Sequence, residues 1–278
     1  MALEIINRKI VGTIDNLQEK LEGKLPVDRL ELLYLVNSWG RNFFIYIKDT
    51  NDYKTRIAQC KIGNCYDLSR LDTSKITNMD SLFENTSFDG DISQWNVSKV
   101  TSMKNMFSNA INFNQSLNSW DTSKVTDMNS MFSYAYKFNN NIGKWDVSNV
   151  TNMCGMFDET ENFNQNISNW NVSNVTSMSY MFYDAKAFNQ NISSWNFDNI
   201  ISCDYMFYNA KGFKDRYNSG KPLPEDTDDI KTWININRDK MNEIDIKETQ
   251  GEELDCFFLK FDNTYSQNNN FTNIHSKN

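Results

Sequence analysis

The residues able to do chemistry are few and poorly placed for catalysis. The single histidine, His275, lies in an Asn-rich C-terminal stretch. A histidine-based triad, a histidine general base and a mixed Cys/His zinc site are therefore not expected in the folded body. Of five cysteines, Cys60 and Cys65 stand close enough in sequence to pair or to join a metal site, but Cys154, Cys203 and Cys256 are scattered. Such an odd, dispersed set fits free thiols in a reducing compartment better than a disulfide framework. Asp121 and Asp146 follow tryptophans at positions where Asn96, Asn171 and Asn196 follow others. A general acid must titrate and does not alternate with an amide, so this position reads as a turn or surface hydrogen-bonding site. The acids Glu225, Asp226, Asp228 and Asp229 suit a solvated helix start better than a weak calcium site. No glycine-rich phosphate loop occurs. No catalytic residue, cofactor or metal is expected.

Binding chemistry is better represented. Tyr180 and Tyr205 are 25 residues apart, as are Tyr183 and Tyr208, with Tyr134 and Tyr136 in an earlier segment. On stacked units these six would merge into one exposed tyrosine surface, and tyrosine offers large contact area at low entropy cost. The alternative is that the C-terminal region folds back over them as a cap, and the sequence leaves both open.

These tyrosines belong to a repeat. Trp95, Trp120, Trp145, Trp170 and Trp195 recur every 25 residues, and Leu71 holds the same place in a first copy one residue shorter. One copy reads FNQNISNWNVSNVTSMSYMFYDA from Phe163, with apolar positions at Phe163, Ile167, Trp170, Val172, Val175, Met178, Met181, Phe182, Ala185 and Phe188. The two-residue step from Trp170 to Val172 predicts a short strand, and the steps from Met178 to Phe188 predict one face of a short helix. Ser173 and Thr176, with their counterparts Ser148, Thr151, Ser123 and Thr126, are read as helix caps or bend-closing residues. Strands pair more closely than helices pack, so the strand side is expected to be concave. Asn114, Asn139, Asn164 and Asn189, beside Gln115, Asn140, Gln165 and Gln190, read as a structural amide ladder. The tryptophans form the core ladder. No copy can bury its apolar face alone, so the copies must stack.

The pattern W-[DN]-V-S-x-V-T-x-M-x-x-M-F-x-x-A-x-x-F-N resembles the repeat of BspA-like, leucine-rich-repeat-type surface proteins of the kind found in mycoplasmas, over roughly residues 71–213. The resemblance implies an α/β repeat solenoid of right-handed leucine-rich-repeat-like coils. It also implies surface exposure and a role in adhesion or host contact. The chain departs from that pattern in showing neither a secretory leader nor a lipobox cysteine near its start.

Four regions follow: an α+β capping module over 1–66, a six-copy solenoid over 67–213, an acidic region over 214–262, and a disordered tail over 263–278. In the first, Ile14, Leu17 and Leu21 suggest a helical stripe, residues 28–39 a second helix and residues 42–47 a strand. After Phe213 comes a polar connector, then a helix over residues 228–241 and a strand over 256–261. Glu225 to Asp262 holds twelve acids against five bases within a chain of net charge -8. That balance disfavours nucleic acid and anionic membrane surfaces as partners. No apolar run is long enough to span a bilayer. The sequence therefore predicts a non-enzymatic protein-interaction solenoid with a protein partner, the alternatives being a surface adhesin and an unfamiliar enzyme activity in a flank; it is cytoplasmic by default, and at the cell surface or secreted if the resemblance extends that far.

Overall fold

A computed structural model describes residues 27–29, 32, 43–48, 55–60 and 68–267, with backbone alone for 43–48, 55–60 and 250–267. Its named elements are β1 (Phe43–Lys48), β2 (Thr55–Cys60), α1 (Lys211–Asn218) and α2 (Thr227–Gln267). Strands β1 and β2 pair antiparallel, with Phe43 opposite Cys60 and Lys48 opposite Thr55. The strand expected at residues 42–47 is thus present one residue on, while the helical stripe at Ile14, Leu17 and Leu21, and Cys65, lie outside the described residues. So does most of the helix expected over 28–39, of which residues 29 and 32 are helical.

Between these flanks the copies lie one against the next. Single parallel bridges link Asn78 to Ser102, Ser102 to Asp127, Asp127 to Asn152, Asn152 to Ser177 and Ser177 to Ser202. Neither the short strand at Trp170–Val172 nor the short helix from Met178 forms; the first stretch is irregular and the second is a run of turns. The hydrogen bonds give the reason. Met178, Tyr180, Phe182 and Asp184 donate their N–H groups to Ser202, Asp204, Met206 and Tyr208 of the next copy at 2.7 to 2.9 Å. Alternating with these, Met181, Tyr183 and Ala185 donate back to Met178, Tyr180 and Phe182. A helix would spend all of these donors within one copy. Residues four apart adopt positive φ instead, and the resulting zigzag of turns still places Met178, Met181, Phe182 and Ala185 in the core.

That core is a set of aromatic columns. Phe182 is fully buried, 3.9 Å from Phe188 and within 5.8 Å of Phe157 and Phe207 in the neighbouring copies. Each repeat tryptophan, from Trp95 to Trp195, donates its indole N–H to a Leu or Ile carbonyl of the preceding copy, as Trp170 does to Ile142 at 3.2 Å. Ring spacing widens from 5.4 Å for Phe107–Phe132 to 6.1 Å for Phe113–Phe138 and 6.4 Å for Trp120–Trp145. The tighter side is the backbone ladder, not the tryptophan segment on which the concave side was expected.

Polar columns close the remaining turns. Asn139, Asn164 and Asn189 each donate a backbone N–H to the Oδ1 of the asparagine one copy earlier, all at 2.9 Å. Gln165 and Gln190 add Nε2 bonds to the same acceptors. Asp121, Asp146 and Asn171 accept the N–H two residues on, so a carboxylate and an amide serve that turn equally. The threonines do not cap a helix. Thr126, Thr151 and Thr176 each donate Oγ1 and the backbone N–H to the carbonyl of the threonine one copy before.

Each end of the backbone ladder is met in part by groups of the opposite polarity, which shortens the edge available to other chains. In the first copy, whose carbonyls face outward, Arg29 donates to Asn78 O and to Asp80 O, and Val27 and Leu32 are buried. In the last copy, whose N–H groups face outward, Tyr205 donates to Glu225 O and Cys203 to Thr227 Oγ1.

The C-terminal expectations need correcting. The polar connector begins in helix α1, which ends at Asn218 and buries Phe213 and Tyr217. Residues 256–261 are not a strand. They continue α2, which runs from Thr227 to Gln267 and so also takes in the first residues of the expected tail; residues 268–278 lie outside the described residues. In α2, Ile230, Ile234 and Met241 are buried at eleven-residue overall spacing, three helical turns on one face. Once that face is docked, elongation costs little, and the later residues follow the helix already nucleated.

Candidate functional site

Four of the six tyrosines singled out by the sequence form one closed group. Tyr180 stacks on Tyr205 at 5.4 Å and Tyr183 on Tyr208 at 4.9 Å. Tyr180–Tyr183 and Tyr205–Tyr208 join the two stacks at 5.7 and 6.2 Å. Tyr134 and Tyr136 form a separate edge-to-face pair at 6.3 Å. The rings are not covered by the C-terminal helices: Tyr134, Tyr180, Tyr205 and Tyr208 are 37 to 42% exposed, and Tyr136 and Tyr183 are half-buried.

The backbone beneath them is unusual. Tyr134, Tyr180 and Tyr205 have φ of 58°, 59° and 56°. The positions equivalent to Tyr180 and Tyr205 in earlier copies are Ser81, Asn105, Ser130 and Gly155, all at positive φ. Glycine and asparagine enter this region readily, whereas other side chains, bulky ones above all, cost roughly 1–2 kcal/mol there. Tyrosine is therefore not what the turn calls for.

Between the two tyrosine groups lies a segment that the sequence reading passed over: Gly155, Asp158 and Glu159, with Asp184 in the next copy. Gly155 (φ 61°) leaves no side chain between Ser130 and Tyr180 in its column. Asp158 is half-buried and accepts a 3.4 Å bond from Ser133 Oγ. Burial, with the neighbouring Glu159 and Asp184 charges, pushes its carboxyl up to about 6. Tyr134 is held above the usual phenol range by Asp158 and Glu159, and Tyr183 by its burial, then by Tyr208, Asp184, Asp158 and Glu159. Asp158 thus lies within electrostatic reach of both tyrosine groups. Glu161 is paired with Lys186. The signal for this segment was present in the sequence, in positions that change from copy to copy, but only the stacking brings them together.

A second concavity, a polar cleft of about 480 Å³, runs between the amide turns and α2, lined by Asn166, Gln190, Asn191, Arg216, Asn242 and Glu248 among others. Arg216 is engaged there by Asp245, Glu248 and the Asn189 carbonyl, although its Nε–H has no acceptor. Cys203 sits in a methionine column, fully buried, and burial pushes its thiol up to about 11, which makes it a poor nucleophile. Among the described residues no group of three His, Cys, Asp or Glu side chains is placed to hold a metal ion. No helix among them is long and apolar enough to cross a membrane.

Two overlapping stretches, residues 51–153 and 137–221, match the family model described as Mycoplasma protein of unknown function, DUF285. No curated protein and no solved structure matches.

Proposed function

The chain belongs to a Mycoplasma protein family of unknown function, DUF285, and from that premise we propose that it is a non-catalytic interaction solenoid of leucine-rich-repeat kind. Its tyrosine face recognises a protein partner. One observation carries this reading: Tyr180 and Tyr205, large and exposed, occupy a left-handed backbone column that carries serine, asparagine or glycine in the earlier copies. Residues held in costly conformations concentrate where function needs them. Aromatic side chains half-exposed in a cluster are the usual anchors of protein interfaces.

The flanks act as end caps in this reading, supported by the Arg29 contacts at one end and those of Glu225 and Thr227 at the other. The BspA-like resemblance of the repeat supports a more specific role in surface or host contact, which protease accessibility of the native protein on intact cells would test. The main reading is tested by affinity capture from the native source with the intact chain. A variant carrying Tyr180→Ser, Tyr183→Ser, Tyr205→Ser and Tyr208→Ser serves as the control. The expected result is loss of the captured partner with nearly unchanged thermal unfolding. Retention of the partner by the variant, or loss of folding, overturns the reading.

A further inference from the structure

We infer that the partner presents an arginine-bearing basic segment, whose guanidinium lies on the N-terminal side of the Tyr180 and Tyr183 rings, against Asp158 and Glu159. This rests on the tyrosine face being the recognition surface and adds what it recognises. Tyr180 is covered by Tyr205 on its C-terminal side and Tyr183 by Tyr208. On the N-terminal side the equivalent positions in the preceding copy are Gly155 and Asp158. Neither supplies a ring. The N-terminal end of the Tyr180 stack therefore meets a buried glycine, and that of the Tyr183 stack a half-buried carboxyl, in place of a further ring.

Charge selects the occupant. An aromatic face carries negative potential and attracts cations within about 6 Å of its centroid. Here Asp158 feels the charges of Glu159 and Asp184, while the nearby cation Lys186 is engaged by Glu161. A planar guanidinium can stack on the ring and reach a carboxylate with its edge, which an ammonium cannot do equally well. Among the described residues, the hydroxyl donor to the Asp158 carboxyl is Ser133, at a long 3.4 Å. A cation beside it would offset the neighbouring negative charges and draw its proton off. An anionic segment, a nucleic acid or an anionic bilayer would meet repulsion at the same place.

The test is selection from a random displayed-peptide library on the immobilised full chain, with the four-tyrosine serine variant and an Asp158→Asn/Glu159→Gln variant as parallel targets. The expected result is a set of tyrosine-dependent peptides enriched in arginine. Their affinity should fall about tenfold or more on the carboxamide variant and by a similar factor when arginine is replaced by citrulline. Binding should also weaken as pH falls below the range in which Asp158 is ionised. Tyrosine-dependent peptides without basic residues, or arginine peptides indifferent to the carboxamide pair, overturn the inference and leave the tyrosine face standing as the recognition surface. Peptides that bind the four-tyrosine variant as well as the native chain, or no tyrosine-dependent peptide at all, overturn the underlying reading too. Urea unfolding of the carboxamide variant, expected to be unchanged or more resistant, separates lost recognition from lost structure.

Discussion

The outer turns of the first three copies and of the last two are built on the same backbone but carry different side chains. In the early copies, the left-handed positions are Ser81, Asn85, Asn105, Asn109 and Ser130, with Tyr134 the first departure. In the late copies, Tyr180 and Tyr205 occupy that left-handed column, and Tyr183 and Tyr208 stand three residues on, where earlier copies have Ser108 and Ser133. The aromatic core below is alike in both, from Phe83–Phe107 at 5.3 Å to Phe182–Phe207 at 5.8 Å. A difference confined to the surface, on a common core, separates what the fold requires from what it only tolerates.

The comparison makes predictions of decreasing size. Phe157→Ala removes a fully buried ring that touches Phe132, Phe163, Trp170 and Phe182, and should cost about 3–5 kcal/mol in urea unfolding. A loss below 1 kcal/mol would mean that the columns are not the common core. Placing tyrosine in an early copy, Asn105→Tyr, should destabilise by about 1–2 kcal/mol, because the strained backbone gains no stacked neighbour there. If that variant is instead more stable than the native chain, the left-handed column does not disfavour tyrosine and the comparison fails.

Asp158 gives a pH signature with a definite sign. Its carboxyl is raised from an ordinary 3.8 to about 6, chiefly by burial. The folded state then holds the proton more tightly than the unfolded state between those values, so this residue's contribution to stability falls as pH rises from about 4 to 6. Asp158→Asn should flatten that part of the profile, measured as the urea midpoint across the window, and leave the protein at least as stable at neutral pH. A variant with an unaltered slope would show that Asp158 titrates normally.

Much of this was legible in the sequence because the repeat shows which positions co-vary in type. The tryptophan, methionine and phenylalanine columns, the asparagine ladder and the Asp/Asn turn after tryptophan are each fixed by one requirement that every copy shares. The helix expected from Met178 was misread for a physical reason. Spacings of three and one fit both a helical face and consecutive turns, and the choice depends on whether N–H groups bond within the copy or to the next one. Likewise, apolar Cys256–Phe261 alone suits a strand, but attached to the docked face of Ile230, Ile234 and Met241 it continues a helix. At the site, the tyrosines stood out by type, whereas Gly155, Asp158 and Glu159 gain meaning only from their stacked neighbours.

The central claim is that tyrosine stands at the left-handed turns for recognition and not for folding. It is tested most directly by Tyr180→Asn with Tyr205→Asn, measured for urea unfolding and for partner binding on the same preparation. The strain relieved, about 1–2 kcal/mol per residue, offsets the lost ring stacking of about 0.5–1.5 kcal/mol. The account therefore predicts an unfolding midpoint equal to or above that of the native chain, with binding lost. A midpoint that falls as far as that of Phe157→Ala, or binding that survives, would contradict it.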